Sequence, residues 1–503
     1  MNVLFIITDQ QRADHMGCAG NPILKTPNID SIGNDGVMFT NAFVANPMCM
    51  PNRATLLTGL YPNMHGLRSN GINLPLNVPT ITQTLQKRGY HTINVGKMHL
   101  QFHFPPFRRK SKAAEITQYW LADEIGDNPI RENFPIPYYG FNEVEIVLGH
   151  GDHCAGHYTD WLEERAPHHV KSIKELFKKG YPVFQSIMHK TELSEELFPT
   201  TYVTERTIAF LERYARGDYG TKPFFMHCSY PDPHHPVCPP GRYYEMYKPE
   251  DIALPPSFND IKNLYEHKFL GQFLKKPVFR GALVRESTEE EVRNFIALTY
   301  GAISMIDHGV GEILAYLEKL GLADNTMVIF TSDHGDLMGD HGLVLKGPTP
   351  FNGILHVPLL WKVPGLTKTA ISDSLVSSID IPKTILNLLS IKEKLQPPDM
   401  QGYDITPILK DPNKKVRNCC LIEEDEEVGP HQVRLRHLIT ERYKITLYED
   451  LRDYGDIFDR KNDPDELHNL WYEDKELRYN LVNELFHENL KAQSRYPHRE
   501  SLT

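Results

Sequence analysis

The sequence predicts an α/β protein: a large mixed, mostly parallel sheet flanked by helices on both faces, with a smaller C-terminal α+β domain that contains an antiparallel sheet. In the first two thirds of the chain, apolar runs at residues 3–8, 224–229 and 327–331 alternate with helical patterns. This alternation is typical of strands buried on both faces of a parallel sheet. In the last quarter, alternating runs at 435–440 and 443–447 are separated by two residues, which predicts an antiparallel hairpin.

The remaining elements follow from periodicity and from helix-start signals. Thr288 precedes a long helical pattern and has Glu291 three residues further on, which predicts a capping box at the start of that helix. The sequence predicts helices at 28–34, 288–320, 381–389 and 475–492, and further strands at 91–95 and 357–363.

The chain is expected to form two domains, with a boundary in the segment 395–415, which is rich in proline, lysine and aspartate. Residues 1–400 would form the catalytic α/β domain and residues 401–503 the smaller one. Residues 101–200 are aromatic and charged without a clean period. We interpret them as an insertion that shapes the mouth of a pocket.

Composition excludes several classes of partner. The net charge of −11 argues against nucleic acid, because such binders usually carry a basic surface. The mean hydropathy is −0.42, and no apolar run is long enough to cross a bilayer, so no membrane partner is expected. The first apolar run lacks the basic flank of a signal peptide, which predicts a cytoplasmic location. Seven scattered cysteines do not suggest a disulfide framework.

One cysteine stands out from the others because it precedes a short helical pattern. Pro51 fits the first turn of that helix, and Gly59 fits its C-terminal end. Cys49 would therefore lie at a helix N-terminus, where free N–H groups and the helix dipole favour an anion. Arg53 adds a positive charge one turn further along.

Polar residues follow the predicted strands, at the edge of the sheet where ligands bind in α/β proteins. Asp9 and Gln10 follow the first strand, and Asp333 and His334 follow another. Two carboxylates, an amide oxygen and an imidazole make a plausible site for a hard metal ion.

Basic side chains follow strands in the same way. Gly96 allows a turn, after which Lys97 and His99 can point into one pocket. His234 follows another strand, and the residues that lie near strand ends also include His227, His235 and Lys346.

The Cys49-Met50-Pro51-Asn52-Arg53 stretch resembles the C-x-P-x-R signature of the sulfatase family, near the arylsulfatase and phosphonate monoester hydrolase branch of the alkaline phosphatase superfamily. The segments 96–99 and 233–236 resemble the family's G-K-x-H and P-H-x-P segments. The chain departs from the usual pattern at Asn52, where serine is most common, and at Gln10, where a second aspartate is often found.

The resemblance implies that Cys49 is oxidised to formylglycine by a formylglycine-generating enzyme and that one divalent metal ion lies against it. The implied ligands are Asp9, Gln10, residue 49, Asp333 and His334. Oxygen ligands favour calcium, our first expectation, or magnesium, and the histidine makes manganese an alternative.

The resemblance also implies a role for each basic residue in the hydrolysis of a sulfate ester. Arg53, Lys97 and Lys346 would neutralise charge on the sulfuryl oxygens. His234, or Lys346, would protonate the leaving oxygen, with His227 and His235 as competing candidates. His99 would act as the base that releases the covalent intermediate.

Three other functions are alternatives for a chain with these residues. A phosphonate monoester or phosphodiester hydrolase could use the same formylglycine and also meets one negative charge at the reacting centre. A non-catalytic binding protein predicts missing ligands, whereas all of them are present. A phosphatase or phosphomutase of the wider superfamily needs a hydroxyl at position 49, for which Thr8 and Thr55 are poorly placed.

The sequence leaves the role of two further features undecided. The C-terminal helix and the basic stretch 265–285 are candidates for a homo-oligomer interface. The histidine-rich run from His150 to His157 suggests a zinc-like site, but its members lie close together on one loop. We therefore interpret this run as a flexible loop at the pocket rim.

Overall fold

A computed structural model describes residues 1–104, 111–121, 133–178, 186–275, 284–428 and 431–494, and a nine-stranded sheet forms its centre. The strands are β1 (Asn2–Thr8), β2 (Val37–Phe39), β3 (Ala42–Phe43), β4 (His91–Gly96), β5 (Glu143–Leu148), β6 (Ala155–Gly156), β7 (Phe224–Ser229), β8 (Arg285–Glu286), β9 (Thr326–Ser332), β10 (Leu343–Val344), β11 (Leu359–Lys362), β12 (Ala370–Ser372), β13 (Val376–Ser377), β14 (Cys419–Val428), β15 (His431–Thr440), β16 (Tyr443–Tyr448) and β17 (Gly455–Asp459).

The central sheet has the order β12-β2-β11-β9-β1-β7-β4-β5-β6. Its inner strands β9, β1, β7, β4 and β5 are parallel, and so are β2 and β12. β11 runs antiparallel to β2 and β9, and β6 runs antiparallel to β5. All seven residues of β1 are buried, as a strand covered on both faces requires. The predicted mixed, mostly parallel sheet is confirmed.

Helices cover the sheet, and the predicted ones form within one or two residues of their expected ends. The α-helices are Pro27–Asn34, Cys49–Thr58, Pro62–His65, Ile81–Lys87, Thr117–Trp120, His157–Arg165, Pro167–Lys178, Pro199–Ala215, Ile261–Leu264, Leu270–Leu274, Glu289–Lys319, Asn352–Leu355, Asp380–Leu388, Thr406–Lys410 and Lys475–Ala492. None of the described helices combines the length and apolarity that a bilayer span requires.

The predicted capping box at the start of the long helix is only half formed. Thr288 accepts a hydrogen bond from the backbone N–H of Glu291, as an N-cap residue does. The Glu291 carboxylate pairs with Arg285 on β8 instead of returning to the cap. The Glu291 carboxylate therefore binds the charged side chain of Arg285 in preference to the backbone N–H of Thr288.

The role of residues 101–200 at the pocket mouth stays a prediction, but they also contribute a strand of the central sheet, β5. Its pattern is hard to recognise because Glu143 and Glu145 interrupt the apolar run. Both carboxylates are held by arginines of the neighbouring helix, Arg213 and Arg206 respectively. Parts of this region, 105–110, 122–132 and 179–185, lie outside the described residues.

The C-terminal part forms the predicted antiparallel sheet, in the order β14-β15-β16-β17. β14 packs against the segment that leads to the Cys49 helix: the Glu423 N–H donates to the Ala45 carbonyl, and Asn46 Nδ2 donates to the Glu423 carbonyl. The two parts therefore share a core, and their division at residue 400 stays a prediction. All seven cysteines are free.

Candidate active site

Cys49 is the first residue of the helix Cys49–Thr58, whose ten residues are all buried. Gly59 ends the helix in a left-handed conformation, with φ of 69°, which glycine adopts at little cost. Asn52, where the family signature most often has serine, ties this helix to its surroundings. Its Nδ2 donates to the Asp333 carbonyl at 2.6 Å, and its Oδ1 accepts from the Ser378 hydroxyl.

The register of the central strands brings two carboxylates beneath this helix. Thr8 on β1 lies opposite Ser332 on β9, so the residues that follow them, Asp9 and Asp333, come side by side at the carboxyl ends of the strands. The Gln10 backbone N–H donates to Asp333 Oδ1 at 3.1 Å. Both carboxylates are completely buried, and buried carboxylates require cationic partners.

A cluster of four potential ligands forms at this point. Cys49 Sγ lies 3.1 Å from His334 Nε2 and 3.9 Å from Asp9 Oδ1. His334 Nε2 is 3.5 Å from an oxygen of Asp9 and 3.5 Å from one of Asp333. One ligand atom from each of the four residues lies within 4.8 Å of the others.

Hydrogen bonds around the cluster orient the acceptor atoms of its side chains toward its centre. His334 Nδ1 lies 2.9 Å from the Gly335 carbonyl and must donate to it, which leaves the Nε2 lone pair facing the cluster. Gln10 Nε2 donates to Asp336 at 2.7 Å and faces His235 Nδ1 at 3.2 Å. The amide oxygen of Gln10 therefore also faces inward, and these residues fit a divalent cation.

The buried carboxylates draw positive charge into the cluster. Burial lowers and the Asp333 carboxylate raises the pKa of His334, with a net increase. Lys346 Nζ contacts three of the inward-facing atoms, at 2.7 Å from His334 Nε2, 3.1 Å from Cys49 Sγ and 3.2 Å from Gln10 Oε1. Lys346 therefore places a basic group beside the inward-facing donors.

Arg53 holds both carboxylates. Its Nε donates to Asp333 at 2.7 Å, and its Nη2 donates to Asp9 at 3.3 Å. Its Nη1 donates to the Lys97 carbonyl and to the Ser229 hydroxyl. Four N–H groups of the guanidinium are engaged by the protein, so Arg53 primarily neutralises and orients the two aspartates.

Two lysines complete the positive charge around the thiol. Lys97 Nζ, which is fully buried, pairs with Asp9 and lies 2.6 Å from His150 Nε2. Burial and Asp9 raise the pKa of Cys49, but Lys346, Lys97 and His334 outweigh them and lower it overall. The position therefore favours an anion.

Three histidines form a stack beside Lys346. His234 lies between His150 and His235, with ring centroids 3.6 Å and 4.1 Å away. His234 Nε2 is 3.0 Å from Lys346 Nζ, and His234 Nδ1 lies 2.6 Å from the His235 carbonyl. Burial, His150 and Lys346 hold the pKa of His234 well below its usual range, so the ring is neutral.

Two of the predicted histidines lie apart from the cluster. His227 is a buried residue of β7 whose Nδ1 meets Asn94 Oδ1 at 2.7 Å, so it is a core residue. His99 stacks on His103 at 3.9 Å, and its buried Nδ1 has no hydrogen-bond partner among the described residues. No contact in the described part of the chain joins His99 to Cys49, so its role stays a prediction.

Three residues outside the predicted site set also shape the site, and of these only His150 was expected near it, at the pocket rim. Asp336 fixes the Gln10 amide, Ser229 accepts from Arg53, and His150 accepts from Lys97. Ser229 and His150 end or follow strands, as Asp9 and Asp333 do, so the strand-end argument could have found them. The run from His150 to His157 is not a flexible loop, because it forms a turn of 3₁₀-helix at Gly151–His153, strand β6 and the start of a helix.

The strand ends of the mixed α/β sheet thus gather two buried carboxylates, a thiol with a lowered pKa and three cationic side chains, an arrangement that suits an anionic substrate. The chain belongs to the sulfatase family: the family model "Sulfatase" matches residues 1–391. A second model, "N-sulphoglucosamine sulphohydrolase, C-terminal", matches residues 339–495. The protein is thus a sulfuric ester hydrolase.

Known proteins support this assignment. An arylsulfatase of Clostridium perfringens is 29% identical over 93% of this chain and 90% of its own length. The multifunctional alkaline phosphatase superfamily protein PehA of Trinickia caryophylli is 30% identical over 77% of this chain and 73% of its own. A phosphonate monoester hydrolase structure from Agrobacterium radiobacter has a TM-score of 0.79 at 24% identity, covering 98% of this chain and 96% of that one; this shows a shared fold.

Proposed function

We propose that the protein hydrolyses sulfate monoesters of small molecules through a formylglycine derived from Cys49. The observation that carries this proposal is the position of Cys49 Sγ, 3.1 Å from both Lys346 Nζ and His334 Nε2 and at a helix N-terminus. Arg53, Lys97 and Lys346 gather positive charge beside residue 49. An anionic group at that position would be stabilised by it.

Asp9, Gln10, residue 49, Asp333 and His334 would hold the divalent ion. It would supply positive charge that lowers the pKa of a hydroxyl on residue 49 and stabilises the transferred group. A set rich in oxygen atoms with a single imidazole suits calcium first, with magnesium and manganese as alternatives. The neutral Gln10 and His334 keep the negative charge of the set at two carboxylates.

The hydrated aldehyde offers two hydroxyls at position 49. One oxygen forms a bond to sulfur while the bond between sulfur and the leaving oxygen breaks in line. Lys97 and Lys346 stabilise the charge on the sulfuryl oxygens, and Arg53 keeps the carboxylates oriented. The second hydroxyl then loses a proton, its oxygen forms the C=O bond of the aldehyde while the bond between carbon and the sulfate oxygen breaks, and sulfate leaves. Addition of water to the aldehyde restores the hydrate.

The hydrogen bonds favour Lys346 over His234 as the direct donor to the leaving oxygen. His234 gives its Nδ1 proton to a carbonyl, so its Nε2 is an acceptor that faces Lys346. An ammonium group carries only donors. We therefore assign the proton transfer to Lys346, with His234 accepting and returning a proton behind it.

A comparison of two substrates with the same leaving group tests the reaction class. Metal-loaded protein, co-expressed with a formylglycine-generating enzyme, is given p-nitrophenyl sulfate and p-nitrophenyl phenylphosphonate. A higher kcat/KM for the sulfate supports the proposal. A clear preference for the phosphonate would make the protein a phosphonate monoester or phosphodiester hydrolase, which the charge of the cluster permits equally.

The modification is tested separately, by the mass of the peptide that contains residue 49. Replacement of the thiol by an aldehyde lowers that mass and makes the peptide reactive toward hydrazides. An unmodified cysteine in an active preparation would contradict the formylglycine mechanism. The cytoplasmic location and a homo-oligomer stay predictions; of the candidate interface, residues 276–283 lie outside the described residues.

A further inference from the structure

A second cluster of potential metal ligands lies beside the first. Asp152 and His153 are on the 3₁₀ turn Gly151–His153, and His189 comes from a distant segment. His189 Nε2 lies 3.0 Å from each carboxylate oxygen of Asp152, and His153 Nε2 lies 3.5 Å from Asp152 Oδ1. One ligand atom from each residue lies within 4.8 Å of the others.

These separations suit a transition-metal ion. Zinc–nitrogen and zinc–oxygen bonds of about 2.0–2.2 Å in a tetrahedral site place the ligand atoms about 3.4 Å apart. The separations of 3.0 Å and 3.5 Å found here lie close to that value. Two imidazoles and one carboxylate also form a donor set that favours zinc and its neighbours over calcium.

The surroundings leave room for a further ligand. The cluster lines a cavity of about 300 Å³, to which His169 and Glu192 also contribute. The side chains of Asp152, His153 and His189 are 14%, 26% and 30% exposed, so an ion can enter from solvent. Three protein ligands with one open position are the pattern of an accessible zinc centre.

An ion pair between Asp152 and His189 accounts for two of the three residues, and His153 Nε2 faces the same carboxylate. The rings of His153 and His189 stack at 5.5 Å, and Nε2 of each lies within 3.5 Å of an Asp152 oxygen. The sequence does not predict a metal site here, because the histidines of the run from His150 to His157 lie close together in the chain. His189 supplies the ligand from outside that run.

We propose that Asp152, His153 and His189 bind a divalent transition-metal ion of the zinc class, with an open coordination position that faces the cavity. The ion would fix the turn that follows His150, whose ring contacts Lys97 and His234 in the active site. It would thereby brace one wall of the pocket. This inference does not depend on the reaction proposed above.

Metal stoichiometry tests the proposal directly. Tag-free, chelator-stripped protein is dialysed against Zn²⁺, and bound metal per chain is measured; Co²⁺ substitution adds a visible spectrum that reports low coordination by nitrogen and oxygen. The wild type should bind one equivalent more than His189→Ala or Asp152→Asn. The exposed histidine variant His487→Ala should match the wild type.

A further variant, Asp333→Asn, distinguishes metal binding at the second cluster from metal binding at the active site, because it removes a ligand of the active site only. This variant should keep the equivalent that His189→Ala loses, and the double variant should lose both. Circular dichroism checks that each variant is folded, and Asp152→Asn preserves side-chain shape. Equal zinc binding by the wild type, His189→Ala and Asp152→Asn would overturn the proposal.

Discussion

Among the described residues, the cluster around Cys49 and the cluster around Asp152 differ in what surrounds them. In the first, Asp9 and Asp333 are fully buried and held by Arg53 and Lys97. In the second, Asp152 is partly exposed and its ion pairs are with histidines. Fixed cations around a metal site prepare it for an anionic substrate, whereas a site without them can only attract the cation itself.

The largest expected effect is a loss of turnover at the first cluster that leaves zinc binding at the second cluster unchanged. Cys49→Ala removes the nucleophile and should lower kcat by about 10⁴- to 10⁶-fold. The zinc equivalent that depends on His189 should remain. The matched control is Cys18→Ala, at a half-buried cysteine away from the site. Substantial turnover by Cys49→Ala would remove residue 49 from the mechanism.

The second prediction tests whether turnover depends on the cationic side chains that surround the first cluster. Lys97→Ala removes a pocket donor and leaves the buried Asp9 short of a partner. Loss of one such donor costs about 10²–10³ in kcat. Turnover is compared with Lys222→Ala, at an exposed lysine. Near-normal turnover in Lys97→Ala would refute the role of Lys97.

His150 lies between the clusters, so its removal measures how far they are coupled. His150→Ala removes the acceptor of a hydrogen bond from Lys97, worth about 1.5 kcal/mol for a charged group. That value corresponds to about tenfold in kcat. His150→Gln keeps an acceptor and should restore most of the rate with KM unchanged. Equal loss in both variants would indicate a packing role instead.

The smallest expected effect is on stability and concerns Glu426, a buried residue of β14. Its Oε2 accepts from the Ser69 hydroxyl, and its buried Oε1 has no partner among the described residues. Burial raises the pKa of Glu426 to about 8. The folded state therefore holds a proton that the unfolded state loses near pH 4.5, and this stabilisation disappears as pH rises through 8.

Glu426→Gln removes that dependence. The stability of the variant relative to wild type should rise by a few kcal/mol between pH 6 and pH 9, because one pKa unit corresponds to about 1.4 kcal/mol. Denaturant unfolding at the two pH values measures it, with exposed Glu449→Gln as the control. A constant difference between Glu426→Gln and wild type would show that the carboxyl titrates normally.

The sequence predicted the central strands and the first cluster because both depend on local pattern. Apolar runs mark β1, β7 and β9, and the residues that follow them necessarily meet at one edge of a parallel sheet. Strand β5 was not predicted, because Glu143 and Glu145 interrupt its apolar pattern and are paired with arginines that lie far away in sequence. Likewise, nothing near Asp152 indicates that His189 folds back onto it.

The burial of the Cys49 helix has a consequence for the order of events during synthesis. Residue 49 is 2% exposed and lies beneath a segment that β14 holds through Ala45 and Asn46. If an enzyme oxidises the thiol, it has to reach this stretch before the last third of the chain closes over it. Oxidation and folding would then be competitors in time, and a chain that folds first would be permanently inactive.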